Sequence, residues 1–251
     1  MDKFVNKIAI VTGSSSGIGL AISKELIKHG VVVVGIARRI EKLTQLASEL
    51  NEPEKPKKFH PLRCDITIER DIEKSFQWIN SELGPVAILV NNAGIINPSL
   101  FKDITGEMIT QIFDTNFKAA ILWSKLAVEN MTNNSIKGHI ININSLAGHI
   151  ILNFKPITNH IYTASKHALK VFSETLRREL VNQNSDIKIT NLSPGMVLTE
   201  ALTTFLPSAE SFSPNKVIQA QDIADSCVYV LGTPPNVLVS ELTIMPLHQD
   251  V

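Results

Sequence analysis

Three residues of this chain are spaced for acid–base chemistry: Ser145, Tyr162 and Lys166. Tyr162 and Lys166 stand four apart in a stretch of helical length, so the phenol and the ammonium share one helix face. A free phenol titrates near ~10 and is a poor base at neutral pH. A neighbouring cation favours phenolate, which would bring Tyr162 towards a working range. Ser145 follows the β-rich run His139 to Asn144 and so falls at the carboxyl end of a strand. There its hydroxyl could hold a carbonyl or alkoxide oxygen while Tyr162 moves the proton. The same spacing also fits an ordinary pair on a helix surface, so the surrounding elements must decide.

The first of those elements is the stretch from Lys7 to His29. Ile8 to Val11 reads as a buried parallel strand. Thr12, Gly13 and three serines form a turn, and Gly17-Ile18-Gly19 opens a helix that stops at Gly30. Ile18, Ala21, Ile22, Leu26 and Ile27 give that helix one apolar face. Backbone N–H groups at a helix N-terminus are a ready site for a diphosphate. The glycines let phosphate approach and let the helix lie close to the strand. Their spacing, Gly-x-x-x-Gly-x-Gly, differs from the commoner Gly-x-Gly-x-x-Gly fingerprint.

After the second β-rich run comes Gly35-Ile-Ala-Arg38-Arg39. A free ribose 2′-hydroxyl usually meets Asp or Glu here, whereas a 2′-phosphate needs cations. From Gly35 on, no carboxylate occurs until Glu41, and the arginine fork suits phosphate, so NADP(H) is preferred over NAD(H). Asp65, followed by Ile66, could accept from an adenine amino group or cap a turn. Asn91-Asn92-Ala93-Gly94 could let backbone run beside a cofactor or brace a neighbouring strand.

Strands are expected at 7–12, 31–36, 58–62, 86–90, 139–144, 187–192 and 238–244. Helices are expected at 17–29, 40–50, 69–82, 107–131, 160–182 and 221–232. Such alternation implies an α/β fold with a parallel sheet covered on both faces. At 251 residues, 1–251 reads as one domain. Equal numbers of basic and acidic residues, with no basic block, argue against nucleic acid. Met1 to Lys7 leaves no room for a signal peptide, and no apolar run could span a bilayer. Two cysteines suit a reducing cytosol, so a cytoplasmic location is expected. No third ligand stands at a workable spacing from His149 and His160, so no metal is expected. No Gly-x-Ser-x-Gly elbow supports a serine hydrolase.

Thr12-Gly13-x-x-x-Gly17-Ile18-Gly19, Asn91-Asn92-Ala93-Gly94, Asn116, Ser145, Tyr162-x-x-x-Lys166 and Pro194-Gly195 together resemble the short-chain dehydrogenase/reductase family over essentially the whole chain. Within it the chain resembles NADP-dependent farnesol dehydrogenase-like and keto-steroid reductase-like members. That resemblance rests on Gly35 to Arg39, on His139 to His149 and on the short tail after Leu242. It implies a single-domain Rossmann-type, doubly wound parallel sheet of seven strands with helices on both faces. It also implies an NADP-dependent alcohol dehydrogenase or carbonyl reductase acting on CH–OH groups, assembled as a homodimer or homotetramer.

By the same resemblance, Asn116, Ser145, Tyr162 and Lys166 are catalytic, with Asn116 supporting a water relay. Gly13, Ser14, Ser16, Gly17, Ile18 and Gly19 would hold the diphosphate, and Ser14 and Ser16 would offer hydroxyls. Arg38 and Arg39 would take the 2′-phosphate, Asp65 and Ile66 the adenine end, and Asn92, Ala93 and Gly94 the middle of the cofactor. Tyr162, Lys166, Pro194, Gly195, Val197 and Thr199 would meet the nicotinamide end. The chain departs from the family's pattern in two places. Ser16 stands where many NADP-dependent members carry a basic residue, and Ser145 and Tyr162 are 17 residues apart, more than usual.

Leu146, Ile150, Ile151, Phe154, Ile157, Met196, Leu202, Phe205 and Leu206 are candidate substrate-facing residues that would suit a lipophilic alcohol such as an isoprenoid. Several equally fit core or subunit contacts. A nucleotide-binding sensor without turnover is the rival reading, disfavoured because a pure binder does not need the Ser145, Asn116, Tyr162 and Lys166 set. A sugar-nucleotide epimerase would need a larger C-terminal region.

Overall fold

The structure, a computed structural model, describes residues 1–151, 160–205 and 215–249, without the side chains of 204 and 205. The β-rich runs form β1 (Ile8–Thr12), β2 (Val32–Ala37), β3 (Phe59–Arg63), β4 (Val86–Asn91), β5 (His139–Ile143) and β6 (Lys188–Pro194). Two short strands, β7 (Val197–Leu198) and β8 (Ile218–Gln219), pair with each other, and β9 (Glu241–Ile244) closes the main sheet. That sheet has seven strands in the order β3-β2-β1-β4-β5-β6-β9, all parallel.

The alternation of a strand's side chains, with both faces covered, explains why β1, β4 and β5 are buried along their whole length. On β1, Ala9 and Val11 enter one buried cluster with Ile22, Leu26 and Cys227, while Ile8 and Ile10 enter another with Phe76, Trp123 and Met131. The first face is covered by α1 (Gly17–Lys28), α2 (Ile40–Leu50) and α8 (Ala220–Gly232). The second is covered by α3 (Glu69–Glu82), α5 (Ala119–Asn133) and α6 (His160–Asn182). Strand order reverses between β1 and β4, and ligands of open α/β sheets bind outside the carboxyl ends at that place.

The single helix expected at 107–131 is three pieces: α4 (Gly106–Phe113), a π-helical stretch at Asp114–Lys118, and α5. The apolar period alone cannot register one wide turn, and such turns recur at functional sites. Here the π turn carries Asn116, which is buried. Periodicity also fails to reveal α7 (Glu200–Phe205) and the β7–β8 pair, because each is too short to repeat. Among the described residues no helix is long and apolar enough to cross a membrane.

Gly19 seats α1 against the end of β1. A Cβ there would strike the Gly13 carbonyl and the Asn92 amide nitrogen. Because the Gly13 obstacle is backbone, Gly19→Ala should lower the unfolding free energy by about 1–3 kcal/mol in urea titrations.

Candidate active site

The turn after β1 opens a cleft of about 440 Å³ across the carboxyl ends of β1 to β4. Gly13 and Gly17 hold φ of +71° and +55°, a conformation that side chains disfavour. The cleft is lined by Gly13, Ser16, Gly17 and Ile18 from this turn, by Arg38 and Arg39 after β2, and by Asp65 and Ile66 after β3. Asn92, Ala93 and Gly94 line it after β4, and Thr199 closes the far side. All of these are in the set drawn from the sequence.

Ser14 is a correction. Its hydroxyl donates to the Val11 carbonyl at 2.6 Å and accepts from Ser23 at 3.2 Å, fully buried, so it offers nothing to the cleft. Ser15 lines the cleft instead. Gly19 lies beneath the turn, not in its mouth. Arg39 leans across the turn, donating from Nη2 to Ser15 Oγ and Ser16 Oγ, each at 3.1 Å. Its Nη1 lies 3.8 Å from Glu200 on α7, and Lys42 lies 3.9 Å from the same carboxylate. These are exposed pairs, worth little in isolation.

Thr12 has a role that its sequence position did not disclose. Its Oγ1 accepts the N–H groups of Asn92 and Ala93, both at 3.0 Å, while Asn92 Nδ2 donates to the Thr12 carbonyl at 2.8 Å. The ends of β1 and β4 are thereby sutured, which fixes the strip of backbone beside the cleft. Asp65 does two things: it lines the cleft, and its Oδ1 accepts from the N–H (3.1 Å) and hydroxyl (2.8 Å) of Thr67.

Asn116, Ser145, Tyr162 and Lys166 are not in the cleft lining; they gather behind Gly94, a lining residue close to both Asn116 and Lys166. Ser145 follows β5, and its Oγ accepts from the Ala147 N–H at 3.1 Å, opening a 3₁₀ turn at Leu146–Gly148. Ser145 and Tyr162 share a side-chain hydrogen bond. Lys166 Nζ donates to the Ile143 carbonyl at 2.9 Å and lies 5.8 Å from the centroid of the Tyr162 ring. Only 4% of Lys166 is exposed. Asn116 accepts from the Ile95 N–H and donates to the Ile95 carbonyl, both at 2.8 Å, and donates to Ser165 Oγ at 3.2 Å. Ser165 in turn donates to the Tyr162 carbonyl at 2.7 Å. Asn116 thus braces the helical turn that carries Tyr162. Gly94 leaves the space between these groups open: a Cβ on it would sit 3.5 Å from Asn116 Oδ1 and 3.8 Å from Lys166 Nζ.

The electrostatics differ from the expectation that Lys166 acidifies Tyr162. Burial raises the phenol above its ordinary value, opposed by the Ser145 hydrogen bond. Burial also pushes the Lys166 ammonium down to about 8. Desolvation disfavours both ions here, and for the phenol it outweighs the Ser145 hydrogen bond.

The remaining candidates scatter. Pro194 ends β6, Val197 is buried in β7, and Gly195 packs against the C-terminal Pro246 and Gln249; none of the three lines the cleft. Leu146 is a buried core residue and Ile151 is 86% exposed, so neither is drawn into a common pocket. Ile150, Met196 and Leu202 are half-buried. Phe154, Ile157, Leu206 and the Phe205 side chain lie outside the described residues. His149 binds Ser193 Oγ at 2.8 Å and faces Glu241 at 3.3 Å.

A family model described as short chain dehydrogenase matches residues 7–209. Farnesol dehydrogenase of Aedes aegypti is 44% identical over 250 residues, covering 99% of each chain. Dehydrogenase/reductase SDR family member 11 of Homo sapiens is 32% identical over 256 residues, covering 99% of this chain and 97% of that one. A structure described as the closed form of serine dehydrogenase complexed with NADP+ superposes with a TM-score of 0.86 at 26% identity, covering 97% and 96% of the two chains. The order of the sheet, the glycine turn at its switch point and the full-length likeness agree: this chain is an oxidoreductase of the short-chain dehydrogenase/reductase family.

Proposed function

We propose that this chain uses NADP(H) to interconvert a lipophilic alcohol, an isoprenoid such as farnesol, and its aldehyde or ketone. The observation that carries the chemistry is the convergence of Ser145, Tyr162 and Lys166, with Lys166 beside Gly94, which lines the same cleft as Arg38 and Arg39. The 44% identity to a farnesol dehydrogenase supports the isoprenoid class.

The cleft fits a dinucleotide on its own features. The turn amides, the serines and the two arginines form an anion-binding donor set, and Gly94 keeps the reactive end clear. Gly13, Ser16 and Gly17 hold the diphosphate, Arg38 and Arg39 the 2′-phosphate, and Asp65 the adenine edge. When bound, the nicotinamide supplies the two-electron chemistry at the substrate carbon. Ser145 Oγ steadies the substrate oxygen, and the Tyr162 hydroxyl gives or takes the proton there. Lys166 donates to the cofactor ribose, while Asn116 keeps the Tyr162 turn in place.

Self-association into a homodimer or homotetramer is part of this reading. The face of α6 that carries Val171, 63% exposed, adjoins the ring stack Phe113–Phe117–Phe172, spaced 6.4 Å apart at each step.

Replacing Arg38 and Arg39 together with Ala should weaken NADP(H) binding about 10- to 100-fold and leave NAD(H) nearly unchanged, because charge-assisted bonds to the 2′-phosphate are lost. Parallel titrations of the two cofactors measure this, and equal losses would refute the phosphate clamp. A turnover screen over farnesol, shorter alcohols and ketosteroids with both cofactors tests the substrate class.

A further inference from the structure

Gly195 and the residues after β9 are in closer contact than any role so far described requires. A Cβ on Gly195 would collide with Gln249 Oε1 and lie 3.0 Å from Pro246 Cδ. The same Gln249 Oε1 accepts the backbone N–H of Met196 at 2.9 Å. The tail is itself ordered by a turn in which the Gln249 N–H donates to the Pro246 carbonyl at 3.1 Å. The next residue back, His248, donates its N–H to the Asn215 carbonyl at 3.1 Å. One short turn of the chain therefore holds two points that are far apart in sequence.

Those two points lie just ahead of the two strands of a parallel pair. The Met196 carbonyl accepts from the Ile218 N–H at 2.9 Å, and β7 pairs with β8 through Val197–Ile218 and Leu198–Gln219. Directly beyond β7, Thr199, Glu200 and Ala201 form the far wall of the cleft. Two parallel strands of two residues each hold few ladder bonds and fix little by themselves. The tail adds one bond at Met196 and one at Asn215, just ahead of each strand of that pair.

We propose that the turn Pro246–Gln249 is a clasp and that Gln249 is a positioning residue, holding the Met196 N–H so that β7 presents Thr199 and Glu200 to the cleft at a fixed depth. Gly195 is the one residue type that lets the Gln249 side chain lie this close to the backbone. Gln249 touches neither substrate nor cofactor in this scheme, and it acts through Met196. The link to cofactor affinity rests on the function proposed above, whereas the clasp itself does not.

The test compares Gln249→Ala, Gln249→Asn and Gln249→Glu in the full chain. Glu keeps an acceptor oxygen at the same reach, Asn withdraws it by one methylene, and Ala removes it. Hydrogen–deuterium exchange at the Met196 and Ile218 amides reads the clasp directly, and titration with NADP+ and NAD+ reads its consequence. The Met196 amide should exchange about tenfold faster in Gln249→Ala and Gln249→Asn, the loss expected for one hydrogen bond. Gln249→Glu should restore protection. Affinity for the cofactor should fall about three- to tenfold in the first two variants and recover in the third, with kcat changing less than KM.

Unchanged exchange in Gln249→Ala, or no recovery in Gln249→Glu, would overturn the clasp. Faster exchange with unaltered cofactor affinity would overturn the positioning role. If the parent protein binds neither cofactor, the function proposed above fails, and the exchange measurements still decide whether the clasp exists.

Discussion

Tyr162→Phe is expected to lower kcat about 10²- to 10⁴-fold, the usual contribution of a positioned proton donor or acceptor, while cofactor affinity stays within a few-fold of the parent. The ring keeps its place in α6, since Ser165 still donates to the carbonyl of residue 162 and Asn116 still holds Ser165. Only the hydroxyl that bonds with Ser145 is lost. Stopped-flow turnover with a primary alcohol, beside NADP+ titration, separates the two quantities. Retained turnover would remove Tyr162 from the chemistry. The pH profile carries a further expectation. Burial holds the phenol above its ordinary value in the cofactor-free protein, so alcohol oxidation by the parent should rise with pH through the alkaline range.

Lys166→Met should abolish measurable turnover and at the same time make the cofactor-free protein more stable. The ammonium is 4% exposed, and burial pushes it from an ordinary 10.5 to about 8. Below pH 8 the folded protein carries the full cost of a dry cation. Between about 8 and 10.5 the unfolded chain binds a proton that the folded chain has released, so stability from this group rises with pH there. The advantage of Lys166→Met is therefore greatest below pH 8 and closes by about 10.5. Part of it is offset, because the Ile143 carbonyl loses its donor. Thermal unfolding at pH 7 and pH 10 measures the difference, with a gain of about 2–4 °C for each kcal/mol at pH 7. An equal gain at both values would show that charge burial is not its source. A stabilising replacement that destroys activity is what a site strained for function predicts.

Much of this molecule was legible because the relevant signals are local. The seven strand runs fall where apolar β-rich stretches recur, and their alternating side chains feed two cores. Gly13, Gly17 and Gly19 mark a turn that few other residues could make, and Tyr162 and Lys166 share a face by helix geometry alone. Elements without a period escaped: the π turn at Asn116, the two-residue β7 and β8, and the short α7.

Residue types and spacings by themselves determined the parallel α/β architecture, the glycine turn after β1 and which side chains could move a proton, since each follows from backbone geometry within a few residues. The tertiary structure alone decided that Ser15 and not Ser14 faces the cleft, because Ser14 finds its partners in Val11 and Ser23 below the turn. It alone decided that Tyr162 is made less acidic before cofactor binds, because burial depends on everything packed around the hydroxyl. And it alone brought Gln249 onto Met196, 53 residues away, through a contact that no local pattern encodes.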